Sequence, residues 1–194
     1  MHTVAGLPLM EALGFRKMLL VWVERLTCAC STHVYPNSHE LKKYLIQNNF
    51  CPEKKLKVSG SGSSNGIDTS YFDPEKTSLH EKKNLRKSLG ISPKNFVFSF
   101  IGRVVTDKGI NELVQAFVNV VEKNKGATLL LVGPQEEDLN PLLPATLDLI
   151  ESRADIIEVG YQADVRAFFA ITDVFVFPSY REGFPNVLLQ AGSM

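Results

Sequence analysis

Between residues 96 and 177, short apolar runs alternate with amphipathic segments, and this alternation constrains the fold more than any other feature of the chain. The apolar runs are residues 96–101, 128–132, 156–159 and 174–177, each suited to a strand buried on both faces. Helical patterns follow at 110–121 and 164–172, a further helix is expected somewhere within 140–153, and a last helix is predicted to begin near Pro185. This order predicts an α/β fold with a parallel, Rossmann-like sheet.

The N-terminal third has a weaker pattern. We expect an apolar helix over 13–26, an extended segment at 33–35, a helix capped by Ser38, and a short strand at 56–58. The Ser- and Gly-rich stretch 59–66 could be a phosphate-binding loop or a flexible linker. Because the G-x-x-x-x-G-K-[ST] pattern is absent, we interpret it as a linker.

Right-handed crossovers place every strand-to-helix loop of a parallel sheet at one edge, where ligands bind in such folds. Four loops therefore become candidates: 102–109, 133–138, 160–164 and 178–185. In the first, Gly102 permits a sharp turn, and Arg103 and Lys108 place two cations beside a helix N-terminus. These cations suit a pyrophosphate, although two solvated surface cations would give the same pattern.

The loop 178–185 leads from a buried strand directly into a helix. Pro185 fits the first helical turn, so the N–H groups of Gly183, Phe184, Asn186 and Val187 are predicted to be available to an anion. Glu182 precedes this turn, and Gln190 lies one turn beyond Asn186 on the same face. Acceptors on both sides of an anion-binding turn suit a ligand with phosphate in its middle and hydroxyl groups at its ends, as in a nucleotide sugar.

Three motifs, in this order, resemble those of the retaining GT-B glycosyltransferases, in particular the members that build capsular and lipid-linked polysaccharides. They are Gly102-Arg103 with Lys108-Gly109, then Val132-Gly133-Pro134, then Glu182-Gly183-Phe184-Pro185 with Gln190. The resemblance covers nearly the whole chain. It implies a second domain that binds a nucleoside-diphosphate sugar as donor substrate, without metal or other cofactor, and a saccharide or lipid-linked acceptor.

The resemblance also implies roles for single residues. Arg103 and Lys108 would grip the diphosphate, Glu182 would contact the sugar, and the turn after it would cradle phosphate. Gln190 stands where the family usually has a Glu that holds the ribose, a change that costs about 1 kcal/mol of affinity. The remaining donor-binding candidates are Gly102 and Tyr161, the latter in the loop that borders the base.

In the family, a His-Thr pair of the first domain places its His near the reacting sugar, and His2-Thr3 is similar to it. His2 is therefore a catalytic candidate, although a lone His near a terminus commonly has no such role. The implied domains are a remnant of the acceptor-side domain at 1–60, a linker at 61–75, and a truncated donor domain at 76–194. We accordingly expect a piece of a longer enzyme, and a nucleotide-sugar-binding fragment without activity is the alternative.

Composition excludes some classes of partner and site. With 21 basic and 21 acidic residues, the chain lacks the basic surplus typical of nucleic-acid-binding proteins. Cys28, Cys30 and His33 could be taken for metal ligands, but their spacing within an apolar helix favours buried packing, and we assign no metal. Three cysteines and no apolar stretch of about 18 residues favour a cytoplasmic protein that is at most peripheral at the inner face of the membrane.

Overall fold

The structure is a computed structural model that describes residues 1–10, 12–63, 66–136, 138, 140–180 and 182–194, without the side chain of Met10. Within the predicted loops, Ser64, Asn65, Glu137 and Arg181 therefore lie outside the described residues. The chain divides into two compact units: Met1–Gly66 with Glu182–Asn186, and Ile67–Arg181 with Val187–Met194. The predicted bounds at 1–60, 61–75 and 76–194 stay a prediction.

The first unit is built around a pair of parallel strands, β1 (His2–Val4) and β2 (Val34–Pro36). Helix α1 (Gly14–Cys30) connects them, and α2 (His39–Gln47) follows β2. The Ser38 side chain caps α2 by accepting a hydrogen bond from the Leu41 N–H, as its sequence predicts. Apolar side chains of all four elements form one core, and Phe50 and Cys51 complete it. The core residues of the four elements are Val4, Cys28, Val34, Leu41 and Leu45.

The second unit is an α/β layer structure. Its strands β3 (Phe96–Ile101), β4 (Ala127–Val132), β5 (Ile156–Gly160) and β6 (Val174–Phe175) form a parallel sheet in the order β5-β4-β3-β6. The helices are α3 (Leu79–Ser88), α4 (Ile110–Lys123), α5 (Pro144–Ser152), α6 (Arg166–Ala170) and α7 (Asn186–Ser193), the last of which begins at the final residue of the first unit. The predicted fold class is confirmed.

Alternating residues of β3 and β4 face opposite sides of this sheet, so two cores form. Phe100, Leu129 and Leu131 pack in one core with the apolar face of α4. Val97, Leu130 and Val132 pack in the other core, which includes Phe168 and Phe169 of α6. All six residues of β4 are buried, as expected for a central strand covered on both faces.

The helix expected somewhere within 140–153 is confirmed as Pro144–Ser152, which begins at a proline whose fixed φ suits a first turn. Two strand predictions were wrong. The last strand ends at Phe175 instead of residue 177. The strand predicted at 56–58 is not formed: Leu56 makes a single parallel bridge to Val34. Within the stretch interpreted as a flexible linker, the Ser63 N–H donates to the Asn37 carbonyl at 2.7 Å.

The prediction that Cys28 and Cys30 are both buried was half wrong. Residues two apart on a helix point about 200° from each other, so only one can face the core. Cys28 and Cys51 are buried, whereas Cys30 is exposed. Among the residues the structure describes, no three His, Cys, Asp or Glu side chains are grouped so as to hold a metal ion.

Thiol chemistry tests this arrangement. Burial, with a smaller contribution from Glu24, raises the pKa of Cys28 to about 12, and burial also raises the pKa of Cys51. We therefore expect a thiol reagent at pH 8 to modify Cys30 rapidly in the folded chain and the two buried thiols only after unfolding. A Cys30→Ser variant should lose the rapid phase, and a rapid phase of three thiols in the folded wild type would contradict the packing.

Candidate functional site

The loops that follow β3 and β4 are joined through their backbones at the carboxyl edge of the sheet. The Gly102 N–H donates to the Val132 carbonyl at 2.9 Å, and the Val104 N–H donates to the Pro134 carbonyl at 2.8 Å. Gly102 and Gly133 have φ values of +154° and +146°. A Cβ atom built on Gly133 would overlap the Gly102 carbonyl oxygen, so this close approach requires glycine.

Arg103 extends from this junction and forms an ion pair that the sequence analysis missed. Its Nη1 donates to Glu136 Oε2 at 2.7 Å, and the two side chains are 47% and 29% exposed. An ion pair this exposed contributes about 0–1 kcal/mol, so a dianionic ligand can compete for the guanidinium at small cost. The only hint in the sequence is that Glu136 lies in the loop after the neighbouring strand.

Lys108 lies where the first and fourth loops meet. It ends a short 3-10 turn, Thr106–Lys108, and Gly109 follows in the left-handed conformation with φ of +71°. Lys108 Nζ donates to Ser179 Oγ at 3.5 Å, and the Tyr180 N–H donates to the Asp107 carbonyl at 3.1 Å. The second unit therefore brings Arg103, Lys108 and the chain after β6 to the same edge of its sheet, as predicted.

The segment Glu182–Asn186 groups with the first unit. Gly183 lies so close to the Ala5 carbonyl and to the Asn37 side chain that an added Cβ would be within 2.6 Å of Asn37 Nδ2 and Oδ1. Ser63 Oγ donates to Asn186 Oδ1 at 3.1 Å. These contacts, which the sequence did not indicate, hold the predicted anion-binding turn.

Asn37 is central to this part of the first unit. It is 7% exposed, its Nδ2 donates to the Ala5 carbonyl at 3.0 Å, and its buried Oδ1 has no partner among the described residues. The turn itself contains Gly183, Phe184 and Asn186. That the amides of this turn and the side chains of Arg103 and Lys108 bind the same ligand stays a prediction.

The other predicted site residues are distributed over both units. In the first unit, His2 Nε2 lies 3.1 Å from Glu24 Oε1 of α1, so this imidazole is held by a carboxylate. In the second unit, Tyr161 directly follows β5 and is 74% exposed. On α7, Val187 packs against the core that contains Phe168, and Gln190 is half-buried one turn after Asn186.

Two curated relatives match almost the whole of this chain, although the match covers only about half of each relative. A capsular polysaccharide biosynthesis glycosyltransferase of Staphylococcus aureus is 35% identical over 100% of this chain and 49% of its own length. A galactosyltransferase of Escherichia coli, named for a GlcNAc-diphosphoundecaprenol acceptor, is 27% identical over 99% of this chain and 48% of its own. The chain thus spans about half the length of these relatives.

Solved structures share the fold. HepE of Anabaena, crystallised with UDP and glucose, superposes with a TM-score of 0.75 at 23% identity, covering 90% of this chain and 46% of HepE. WaaG, a glycosyltransferase involved in lipopolysaccharide biosynthesis, gives a TM-score of 0.74 at 18% identity, covering 95% of this chain and 48% of WaaG. At these identities the likeness establishes the GT-B fold alone.

The family model described as glycosyl transferases group 1 matches residues 81–194, which is more than half of the chain. The matched range includes the loops that carry Arg103, Lys108 and Glu182. The chain therefore belongs to the group 1 glycosyl transferases.

Proposed function

We propose that this chain is part of an enzyme that transfers a sugar from a nucleoside-diphosphate sugar to a saccharide or lipid-linked acceptor during polysaccharide biosynthesis, with retention of configuration. Family membership and the names of the relatives from Staphylococcus aureus and Escherichia coli support this activity, which is of the hexosyltransferase type. The observation that carries the proposal is the convergence of Arg103, Lys108 and the chain after β6 at one sheet edge.

In this proposal, the two cations and the amides of the turn 183–187 bind the diphosphate. When the bond between the sugar and the diphosphate breaks, the electron pair leaves with the diphosphate, whose charge these groups stabilise. The acceptor oxygen forms the new bond to the sugar, and its proton passes to the oxygen of the departing diphosphate. Fixed donors of this kind supply the stabilisation that a metal ion supplies elsewhere, because they are already oriented toward the position where charge develops.

The remaining candidates recognise the ends of the donor. Glu182 accepts from hydroxyl groups of the transferred sugar, Gln190 binds the ribose, and the backbone near Tyr161 borders the base. Gly102 allows the diphosphate to approach the backbone, and His2, oriented by Glu24, lies near the reacting sugar. The units would correspond to an acceptor-side remnant at 1–60 and a donor domain at 76–194, in a cytoplasmic protein that is peripheral at the membrane.

Metal independence gives a test of this function. We expect the affinity for UDP and the rate of sugar transfer from a panel of UDP-, GDP- and ADP-sugars to change less than about twofold when excess EDTA replaces Mg²⁺, because protein groups alone neutralise the diphosphate. Calorimetry measures the affinity, and NMR of the product measures rate and anomeric configuration. Strict dependence on added Mg²⁺ or Mn²⁺ would contradict the mechanism.

The same experiment separates the main alternative, a nucleotide-sugar-binding fragment without activity. Donor binding without any transfer, over the whole panel and with saccharide and polyprenyl-diphosphate acceptors, would favour the fragment. Inverted product configuration would overturn retention while leaving the donor site intact.

A further inference from the structure

Gln135 and Glu158 form a side-chain pair to which the proposed function gives no role. Gln135 Nε2 donates to both carboxylate oxygens of Glu158, at 2.9 Å to Oε1 and 2.8 Å to Oε2. Gln135 follows β4, and Glu158 lies opposite Leu131 near the carboxyl end of β5. The pair is therefore at the same edge of the sheet as Arg103.

The Glu158 carboxylate retains hydrogen-bonding capacity. The residue is half-buried, and within the part of the chain that the structure describes its side chain binds Gln135 alone and forms no ion pair with a Lys, Arg or His. A carboxylate offers about four lone-pair sites, of which the Gln135 amide uses two. Because a charge partly removed from water is costly without a partner, this carboxylate suits an N–H group of a ligand.

The loop after β4 places this pair beside the group proposed for the diphosphate. Val104 and Gln135 form a parallel bridge, so this loop runs alongside the loop after β3. Of two successive side chains, Gln135 binds Glu158 on β5, whereas Glu136 binds Arg103 after β3. Since β4 lies between β3 and β5, the two contacts are about two strand spacings, or about 10 Å, apart. A ribose bridges such a distance between a diphosphate at one contact and a base at the other.

Given the donor site proposed above, on which this inference rests, we propose that Glu158, held by Gln135, accepts a hydrogen bond from the ring N–H of the donor's base and selects uracil or guanine over cytosine and adenine. Because Gln135 Nε2 donates to Glu158, the pair presents oxygen acceptors to a ligand. Uracil N3 and guanine N1 carry a proton on the pairing edge of the base. Cytosine N3 and adenine N1 carry a lone pair there, which a carboxylate repels.

UDP and CDP provide the test, because they share the ribose and the diphosphate and differ only on the pairing edge of the base. Calorimetry measures their affinities for the chain, and inorganic pyrophosphate serves as a ligand without a base. We expect the wild type to bind UDP at least about tenfold more tightly than CDP, because a site that accepts from an N–H rejects a ligand without it. GDP and ADP repeat the comparison for the purines.

Glu158→Gln tests the carboxylate itself. The variant keeps the size of the side chain and an oxygen that accepts from Gln135, but it lacks the charge. We expect it to bind UDP about tenfold more weakly and to prefer UDP over CDP by less than about threefold, because the charge-assisted bond is lost. Its affinity for pyrophosphate should stay within about twofold of wild type, because the base contact is absent from that ligand.

Glu151→Gln is the matched control. Glu151 is exposed in the last turn of α5, at the opposite edge of the sheet, because α5 leads back to the start of β5. This substitution removes the same charge away from the candidate site, so the affinities for UDP and CDP should stay within about twofold of wild type. Circular dichroism should be unchanged in both variants.

Equal binding of UDP and CDP by the wild type, or an unchanged preference for UDP in Glu158→Gln, would overturn the role of Glu158 while leaving the donor site intact. Loss of UDP and pyrophosphate by the same factor in Glu158→Gln would also overturn it, because the residue would then support the sheet edge instead of the base. If the wild type binds neither pyrophosphate nor any of the four nucleoside diphosphates, the proposed donor site is wrong, and the role of Glu158 is wrong with it.

Discussion

Lys108→Ala is expected to weaken UDP binding by roughly ten- to a hundredfold, the largest effect that we predict on ligand affinity. A charge-assisted hydrogen bond to a diphosphate is worth about 1.5–3 kcal/mol. The variant loses this bond together with the positive charge of the ammonium group, so the negative charge of the bound diphosphate is less well neutralised. Arg103→Ala should lose affinity similarly, and any sugar transfer should fall by at least the same factor. Calorimetry with UDP provides the measurement.

Lys123→Ala is the matched control for this prediction. Lys123 is an exposed lysine at the far end of α4 from Lys108, so its removal lowers the net charge equally without touching the candidate site. Its affinity for UDP should stay within about twofold of wild type. If Lys108→Ala and Lys123→Ala bind UDP equally well, Lys108 does not contact the diphosphate.

Gly133→Ala should produce the largest loss of stability. Its backbone has φ of +146°, and a Cβ would overlap the carbonyl oxygen of Gly102, a backbone atom that cannot rotate away. We expect the free energy of unfolding to fall by roughly 3 kcal/mol or more, because the two loops must separate and lose the hydrogen bonds that join them. Urea denaturation followed by circular dichroism measures the change.

Gly160→Ala is the control that separates the two causes of the stability loss expected for Gly133→Ala, namely steric overlap and backbone strain. Gly160 also has a positive φ of +72°, but an added Cβ would meet no atom within 4 Å. This variant should lose only about 1 kcal/mol, the ordinary cost of a left-handed alanine. Equal destabilisation by both substitutions would show that the approach of the Gly102 and Gly133 loops is not what requires glycine at residue 133.

Secondary structure could be predicted correctly where the sequence pattern fits only one type of element. The apolar run 96–101 and the helical spacing of Ile110, Leu113 and Val114 each fit a single element, and both elements form as predicted. The segment 56–58 has a strand-like composition but pairs only through Leu56, since composition does not decide whether a partner strand is available. For α1, periodicity predicted the helix but not that Phe15 and Trp22 are exposed.

The candidate site could also be predicted only in part. The order of strands and helices placed Arg103 and Lys108 at one edge, because parallel topology determines where such loops lie. It could not indicate Glu136 as the partner of Arg103 or Ser63 as the partner of Asn186. The contact between Arg103 and Glu136 depends on the paths of two loops that pass through Gly102 and Gly133, and no residue pattern specifies the positive φ values of these glycines.

Backbone amide NMR of the chain during titration with UDP tests the central proposal most directly. If one pocket binds the diphosphate, the amide signals of Gly183, Phe184, Asn186 and Val187 should shift together with those near Arg103 and Lys108. Uridine, which lacks the phosphates, should leave them in place. UDP-induced shifts confined to other parts of the chain, with the amides of 183–187 unchanged, would contradict the proposed site.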